Sequence, residues 1–375
     1  MWPDEDAMPL NRNLAVIGCA IEAHITGSSE SLEEILHRMA RSALQDAGLT
    51  FDDVDGIVVA SNDQFDGRAI SVMAASGSVG GVDRDILSTP SAGEHAFVMG
   101  ALRVASGQFE TQLVLSWSPT EAHSLSEAER LGADPYFHRR LPLDETSAAA
   151  LQASALRAKI PGIEALVAKS RTKAAGLTAG KPGNGRWPLG ASMIHPEVTG
   201  AVALVLASGE FVDKHSVESA AWLSGMGWAT ETGFLGDRDL STAPALVEAA
   251  RLAYADAGIT SIRSAVDVAE ICDATPYQEL LVLDALNLTS RDDWSAAQQH
   301  PSHAGLPVNP SGGIAEANPV YCTGLIRIAE AANQARGRAK KQVKGARRSL
   351  AHAASGFAMQ YQTVVVFDQN RQVRP

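Results

Sequence analysis

The chain predicts an α/β fold built from two similar halves, each a βαβα unit. Three observations carry that reading. A helix-to-turn segment occurs twice, a β-branched run follows each copy, and the composition suits a buried sheet. Apolar residues make up 45% of the 375 and aromatics only 5%, so the core is made of Ala, Val, Leu and Gly. That length fits two such halves or one large layered domain.

The elements follow in chain order. Leu14–Cys19 reads as the first strand. Ala40-Arg41-Ser42-Ala43-Leu44-Gln45-Asp46-Ala47-Gly48-Leu49-Thr50 then recurs as Ala250-Arg251-Leu252-Ala253-Tyr254-Ala255-Asp256-Ala257-Gly258-Ile259-Thr260. Each copy is an amphipathic helix stopped by glycine, the residue that ends helices in a left-handed conformation. A short spacer leads to Val54–Ala60 in one half and Val266–Ile271 in the other, both bounded by turn signals as buried strands are. Ser91-Ala92-Gly93 opens a helix through Ala96, Met99, Ala101 and Val104, and the strand Leu113–Leu115 follows Gly107. Ala201–Leu206 closes the first half. In the second half, Ser311-Gly312-Gly313 precedes a helix over Thr323–Ala335, and Thr363–Phe367 is the last strand.

The halves divide as 1–215 and 216–375, the first including residues 118–195, which have no clean strand pattern. That stretch reads as a mainly helical insertion carrying His123, Tyr136, His138, Arg139, Arg140, Arg171 and Lys173. Such insertions cover active sites or form subunit contacts. Ser61–Ser71 is polar and follows a strand's C-terminal end, so it is either a site edge or a capped surface loop.

A net charge of −12 argues against a nucleic-acid surface. One basic run stands out, Arg336, Arg338, Lys340, Lys341, Lys344, Arg347 and Arg348. It is either a solvated face or a contact for the phosphates of a nucleotide-like ligand. Cys19, Cys272 and Cys322 have neither disulfide-framework density nor metal-ligand spacing, so a reducing compartment and no metal are expected. Met1–Arg12 lacks a signal-peptide core and no run reaches membrane-spanning length, which makes a cytoplasmic location the expectation.

The most informative stretch is Asn309-Pro310-Ser311-Gly312-Gly313 followed by Asn318-Pro319-Val320-Tyr321-Cys322-Thr323-Gly324. Paired glycines permit close backbone approach, and a helix N-terminus after Pro319 offers N–H groups to an oxyanion. With the duplicated halves, this stretch resembles the signature of the thiolase superfamily, and more closely its sterol-carrier-protein or lipid-transfer branch. The likeness runs from Leu14 to Phe367. It implies a layered αβαβα architecture and a homodimer acting on an acyl-CoA thioester. Coenzyme A would be part of the substrate, with no permanently bound cofactor. Ser311, Gly312, Gly313 and Arg336 become the candidate contacts for that substrate.

The departures from the family bear on chemistry. Thiolases carry a nucleophilic cysteine in a Cys-x-Ser-Gly turn, and here the turn reads Pro90-Ser91-Ala92-Gly93, with Pro90 at the cysteine position. Cys272-Asp273-Ala274-Thr275-Pro276-Tyr277 replaces the Asn-Glu-Ala-Phe or His-Asp-x-Phe motif. Asn318 replaces the Gly-His-Pro histidine, and His352-Ala353-Ala354-Ser355-Gly356 stands where the last Cys-x-Gly belongs. Acyl transfer needs a thiolate and a second base. Retro-aldol cleavage needs only a proton acceptor and an oxyanion hole.

Relatives in the lipid-transfer branch include aldolases that use tyrosines and work with a small zinc-ribbon/OB-fold partner. The resemblance therefore implies carbon–carbon cleavage in the breakdown of a lipid, steroid or aromatic acid side chain. Tyr321 is the candidate proton carrier or else a locally satisfied tyrosine beside its helix. Asn318 is an oxyanion donor or a turn residue. Tyr277, His352 and His95 could move protons or could be packed and hydrogen-bonded. Cys272 is a nucleophile or a small buried residue, and Ser91 a helix cap or a nucleophile. Two alternatives stay open: an acyltransferase relying on Cys272 or a partner chain, and a catalytically silent subunit of a heteromeric complex.

Overall fold

The structure is a computed structural model. It describes residues 13–25, 29–67, 70–90, 92–118, 125–174, 185–195, 198–291 and 305–372. His123 and Ser91 lie outside the described residues, as do the side chains of Arg171 and Lys173. Among the described residues, nine strands form one sheet in the order β3-β2-β4-β5-β1-β6-β9-β8-β7. They are β1 Leu14–Glu22, β2 Gly56–Ser61, β3 Asp85–Pro90, β4 Thr111–Ser118, β5 Gly200–Ser208, β6 Ala221–Thr230, β7 Val268–Glu270, β8 Arg348–Ser355 and β9 Tyr361–Asp368.

The pairing repeats. β1 runs antiparallel to β5, β5 antiparallel to β4, and β4 parallel to β2. In the same way β6 is antiparallel to β9, β9 antiparallel to β8, and β8 parallel to β7. The partner that β3 provides for β2 shrinks in the second half to a single parallel bridge from Ala269 to Val308. The halves join where Ala15 and Val16 of β1 meet Trp222 and Ala221 of β6. Strands β3, β6 and β8 carry no clear pattern in the sequence. β3 mixes polar and apolar residues, β6 contains Gly225 and Gly227, and β8 is rich in Ala and Ser around a histidine.

The helices are α1 Leu32–Asp46, α2 Asp63–Asp66, α3 Ser71–Ser78, α4 Gly93–Ala105, α5 Leu125–Gly132, α6 Glu145–Lys159 and α7 Ile163–Ala174. They continue with α8 Gly209–His215, α9 Pro244–Asp256, α10 Ile262–Ala265, α11 Pro276–Ala285, α12 Gly313–Glu316 and α13 Thr323–Arg336. Strand alternation sorts them into layers. Leu113, Leu115 and Trp117 of β4 join a core with α1 and α3, while Val114 faces a second core. That second core holds Phe97 and Ala101 of α4, Leu325 and Ala329 of α13, and also Val365 and Phe367 of β9. Val364 and Val366 turn instead to a third core with α9 and α11. The result is an αβαβα stack with α4 and α13 as its central layer.

The duplicated helices dock alike. β1 and β6 each carry a register shift beside a glycine, Gly18 and Gly225. A Cβ on Gly18 would collide with the Ala43 carbonyl and stand 2.9 Å from the Ala47 methyl. A Cβ on Gly225 would collide with the Ala253 carbonyl and stand 2.9 Å from the Ala257 methyl. Those alanines occupy equivalent places in the two copies of the sequence repeat. Among the described residues, 118–195 contains α5, α6 and α7. Among the described residues, no helix is long and apolar enough to cross a membrane.

Candidate active site

The two central helices begin side by side. α4 leaves β3 with almost no connector, because Gly93 carries no side chain into Ser116 and Leu325. The Gly93 N–H donates to the Tyr321 carbonyl at 2.7 Å, and Ser116 Oγ donates to the same oxygen at 3.3 Å. The turn ahead of α13 is wound around Pro319. Its carbonyl accepts from Cys322 N at 3.2 Å, from Cys322 Sγ at 3.1 Å and from Thr323 Oγ1 at 3.0 Å. Tyr321 is held at φ 71°, a region that favours glycine, and its ring meets Phe65 edge-on at 5.5 Å.

A cleft of about 170 Å³ opens above these helix starts. Glu94, Gly324, Asn318 and Tyr321 line it from the central layer. Cys272 and Gln278 come from the second half, and Glu129, Asp144, Glu145 and His195 from the insertion. Asn318 Oδ1 lies 3.0 Å from Thr323 Oγ1, whose single hydrogen is shared with the Pro319 carbonyl, so this contact anchors the amide at the mouth of α13.

The lining is acidic. Glu94 is 1% exposed and its Oε1 has no hydrogen-bond partner among the described residues. Glu145 stands at the lip. The residue is solvent-exposed there. Burial opposes the charge on Asp144, but hydrogen bonds from Ser147 and Ser126 hold that carboxyl below the usual range. Burial pushes His195 down against the pull of Asp273 and Glu279, so it is neutral near pH 7. Burial, with Glu94 next, pushes the Cys272 thiol up to about 12. Among the described residues, no group of three His, Cys, Asp or Glu side chains could hold a metal ion.

Of the residues singled out in the sequence, Tyr321, Asn318 and Cys272 come together on this cleft. The others lie elsewhere. Tyr277 is buried in the outer core with Leu280 and Leu281. His352 is fully buried in β8, its Nε2 2.9 Å from Gln362 Oε1, and burial holds its pKa near 4. His95 turns away from the cleft toward the ring of Tyr361.

Ser311 belongs to a network beneath the glycine loop. Its Oγ donates to Glu270 at 2.7 Å, while Arg327 reaches both Ser311 Oγ and Glu270 at 2.8 Å. Gly312 and Gly313 take φ 118° and 67°, and a side chain on Gly313 would strike Asp273 and Asn309. Their freedom therefore shapes the loop. Arg336 is buried, donating to Asp46 and to the Ile17 carbonyl at 2.7 Å each. It ties α13 to the first half and is closed to a phosphate. Arg338, Lys341 and Arg348 pair with Asp46, Glu316 and Asp368, while Lys340, Lys344 and Arg347 are exposed, so beyond Arg336 the run is mostly a solvent-facing surface.

Sequence reasoning missed Glu94, Glu145 and His195. A glutamate in a helix's first turn ordinarily answers the helix dipole, which hides Glu94 and Glu145. The signal for Glu94 is its phase, since it shares a face with Phe97, Val98 and Ala101, all buried. His195 has no such signal.

The family described as "Thiolase C-terminal domain-like" matches residues 227–369. Sterol carrier protein 2 of Oryctolagus cuniculus is 34% identical over 168 residues, covering 42% of this chain and 30% of that protein. The Homo sapiens protein is 32% identical over the same length and with the same coverage. The aligned part thus spans less than a third of those relatives' own length. Among solved structures, the "Ltp2-ChsH2(DUF35) aldolase" superposes with a TM-score of 0.75 at 18% identity, over 97% of this chain and 99% of that one. A monomeric SCP2-thiolase-like protein type 1 from Mycobacterium smegmatis gives 0.70 at 17%, over 96% and 77%. Human mitochondrial 3-ketoacyl-CoA thiolase gives 0.66 at 16%, over 96% and 100%. Family match, sequence relatives and fold agree: residues 227–369 match the thiolase C-terminal family, and the chain has the thiolase fold and is similar in sequence to sterol carrier protein 2.

Proposed function

We propose that the chain cleaves a carbon–carbon bond of a 3-hydroxyacyl-CoA by retro-aldol chemistry, without a covalent acyl-enzyme. One observation carries the reading: the cleft holds a tyrosine and an amide beside two helix N-termini, while its one lining cysteine is a buried, protonated thiol. In the step, the β-hydroxyl proton passes to a group in the cleft and the oxygen's electrons form a carbonyl. The bond between the α and β carbons breaks, and its electrons enter the thioester enolate. A proton returned to the α carbon completes a shortened acyl-CoA and a ketone or aldehyde. No electron acceptor or second substrate enters the balance.

Asn318, with the first turn of α13, stabilises the enolate oxygen. Tyr321 hydrogen-bonds the β-hydroxyl and carries its proton. The acidic lining suits the neutral acyl and pantetheine portions and keeps the phosphates of coenzyme A outside. A bulky lipid, steroid or aromatic acyl group is the proposed substrate, supported by the sterol-carrier relatives and the aldolase neighbour. The proposed assembly is a homodimer able to take a small zinc-ribbon/OB-fold partner, a reading supported by the two-component name of that neighbour.

The test is direct. Purified chain, alone and with such a partner, is incubated with a 3-hydroxyacyl-CoA bearing a tertiary hydroxyl, and products are followed by mass spectrometry. Equal amounts of carbonyl compound and shortened acyl-CoA are expected. An acyl group trapped on Cys272 would refute the reading in favour of acyl transfer, and inertness in every combination would favour a silent subunit.

A further inference from the structure

Two polar atoms of the cleft lining are left unanswered by the fold. Of the buried side-chain oxygens and nitrogens without a hydrogen-bond partner among the described residues, Glu94 Oε1 and Ser355 Oγ are the two that belong to this lining. Their polar neighbours are engaged. Ser126 donates to Asp144 at 3.1 Å, Gln278 to Gln152 at 2.8 Å, and Thr323 to the Pro319 carbonyl at 3.0 Å. Glu94 is 1% exposed, so bulk water does not reach it. An unanswered polar group at such depth costs more than an ordinary hydrogen bond contributes, and an apolar residue would avoid that cost.

The two side chains face the same space. Glu94 lies in the first turn of α4 and Gly324 in the first turn of α13. A side chain on Gly324 would begin 2.9 Å from Glu94 Cδ and 2.9 Å from the Ala353 methyl, so the carboxyl and β8 meet over that glycine. Ala353 and Ser355 stand two residues apart on β8, and alternation puts both on the face that Ala351 turns to the central layer. Ser355 therefore follows the Glu94 contact by about 7 Å along the strand, at the strand end that the cleft reaches. A hydroxyl held between two partners spans up to about 5.6 Å from one to the other, the scale of that spacing. The terminal torsion of a glutamate is broad, so a small turn offers either oxygen to the cleft.

Much of the remaining lining is apolar, with Ala92, Ala149, Leu189, Ile314, Val320 and Met359 among it. A hydrocarbon filling the cleft would leave both polar atoms stranded, and a site built this way rejects an occupant that cannot answer them. A hydroxyl answers both, donating to the Glu94 oxygen and accepting from Ser355 Oγ. The contact holds for either protonation state of the carboxyl, since each keeps an accepting oxygen. We infer that Glu94 and Ser355 form a two-point site for a hydroxyl on the acyl chain, close to the thioester, and that they select oxygenated acyl groups over hydrocarbon ones. The inference rests on the proposed function for the class of occupant, an acyl-CoA, and needs no bond cleavage. Both residues bind, and neither carries a proton in the reaction.

Calorimetry with the purified chain compares butyryl-CoA with its 3-hydroxy and 4-hydroxy counterparts, while mass spectrometry follows cleavage in the same samples. One hydroxylated compound or both should bind about tenfold more tightly than butyryl-CoA. Glu94→Leu and Ser355→Ala should each cut that preference about threefold or more. They should do so by weakening the hydroxylated compound while butyryl-CoA binds at least as tightly as before, which a damaged cleft would not allow. Glu94→Gln and Ser355→Thr keep a hydrogen-bonding group and should keep most of the preference. Glu94→Leu should also raise the urea midpoint, since an unanswered polar group gives way to an apolar one of similar size. Equal binding of all three compounds, or a preference that survives both Glu94→Leu and Ser355→Ala, overturns the inference. A lowered midpoint in Glu94→Leu overturns it too, because it marks Glu94 as part of the fold. A preference that depends on both residues without any cleavage leaves the hydroxyl site standing and counts against the retro-aldol reading. Cleavage without a preference does the reverse.

Discussion

Alkylation of Cys272 separates the two enzyme readings, and its rate follows from the structure. An ordinary cysteine near 8.5 is roughly a quarter thiolate at pH 8. A thiol pushed up to about 12 by burial and Glu94 is thiolate in only about one part in ten thousand. The population ratio is therefore a few thousand. A more basic thiolate is also a better nucleophile, with a Brønsted slope near 0.4–0.5, which returns a factor of roughly 40. The net expectation is a slowing of about 50-fold or more before any steric shielding is added. Iodoacetamide labelling of the native chain, timed by mass spectrometry of the Cys272 peptide and compared with the same chain in urea, measures it. Labelling within a few-fold of the unfolded rate, accompanied by loss of activity, would refute the argument. It would mark Cys272 as an activated nucleophile and return acyl transfer to first place.

Other perturbations are read with equal directness. Tyr321→Phe should lower kcat by about a hundredfold with little change in KM or thermal midpoint, since only a hydroxyl is lost from a ring still packed on Phe65. Gly18→Ala and Gly225→Ala should each destabilise by about 2–3 kcal/mol, the upper part of the overpacking range, because the obstacles are backbone carbonyls. Urea midpoints measure this, and a loss under about 0.5 kcal/mol in either would sink the docking argument. His352 is held neutral in the fold near 4, against about 6.5 when unfolded. Protons therefore favour the unfolded chain below pH 6.5, and stability should fall by about 2 kcal/mol between pH 7 and pH 5. His352→Gln should flatten that slope in urea titrations at the two pH values.

The parts of this molecule that could be read from sequence are those fixed by local rules. The repeated helix shows because a stop glycine and a β-branched strand follow each copy, and both mark themselves within a dozen residues. β8 does not show, because Arg348–Ser355 is stabilised by neighbours on either side rather than by its own Ala- and Ser-rich pattern. The Asn318–Thr323 turn is legible through proline and the helix it starts. The role of Arg336 is not, since its partner Asp46 lies 290 positions away and no local pattern distinguishes a buried guanidinium from a solvated one. Glu94 was in plain view in the Pro90–Ala96 segment. Only the depth of the cleft above it, set by the insertion helices, turns a first-turn glutamate into a candidate for chemistry.

The paired contacts at Gly18 and Gly225 have a consequence for how such a protein can be re-engineered. In both halves the strand glycine meets a helix carbonyl and an alanine methyl, so at that point the spacing between outer helix and sheet leaves no room for a larger group. The outer layers are therefore a chassis with fixed tolerances. Changing the acyl group that the cleft accepts is a matter for α5, α6 and the residues around His195, which rest on that chassis without determining its dimensions. A library confined to the cleft-lining polar positions of the insertion, such as Glu129 and Glu145, should alter substrate range while leaving the urea midpoint nearly constant. One spread over the repeat helices should spend most of its members on unfolded chains.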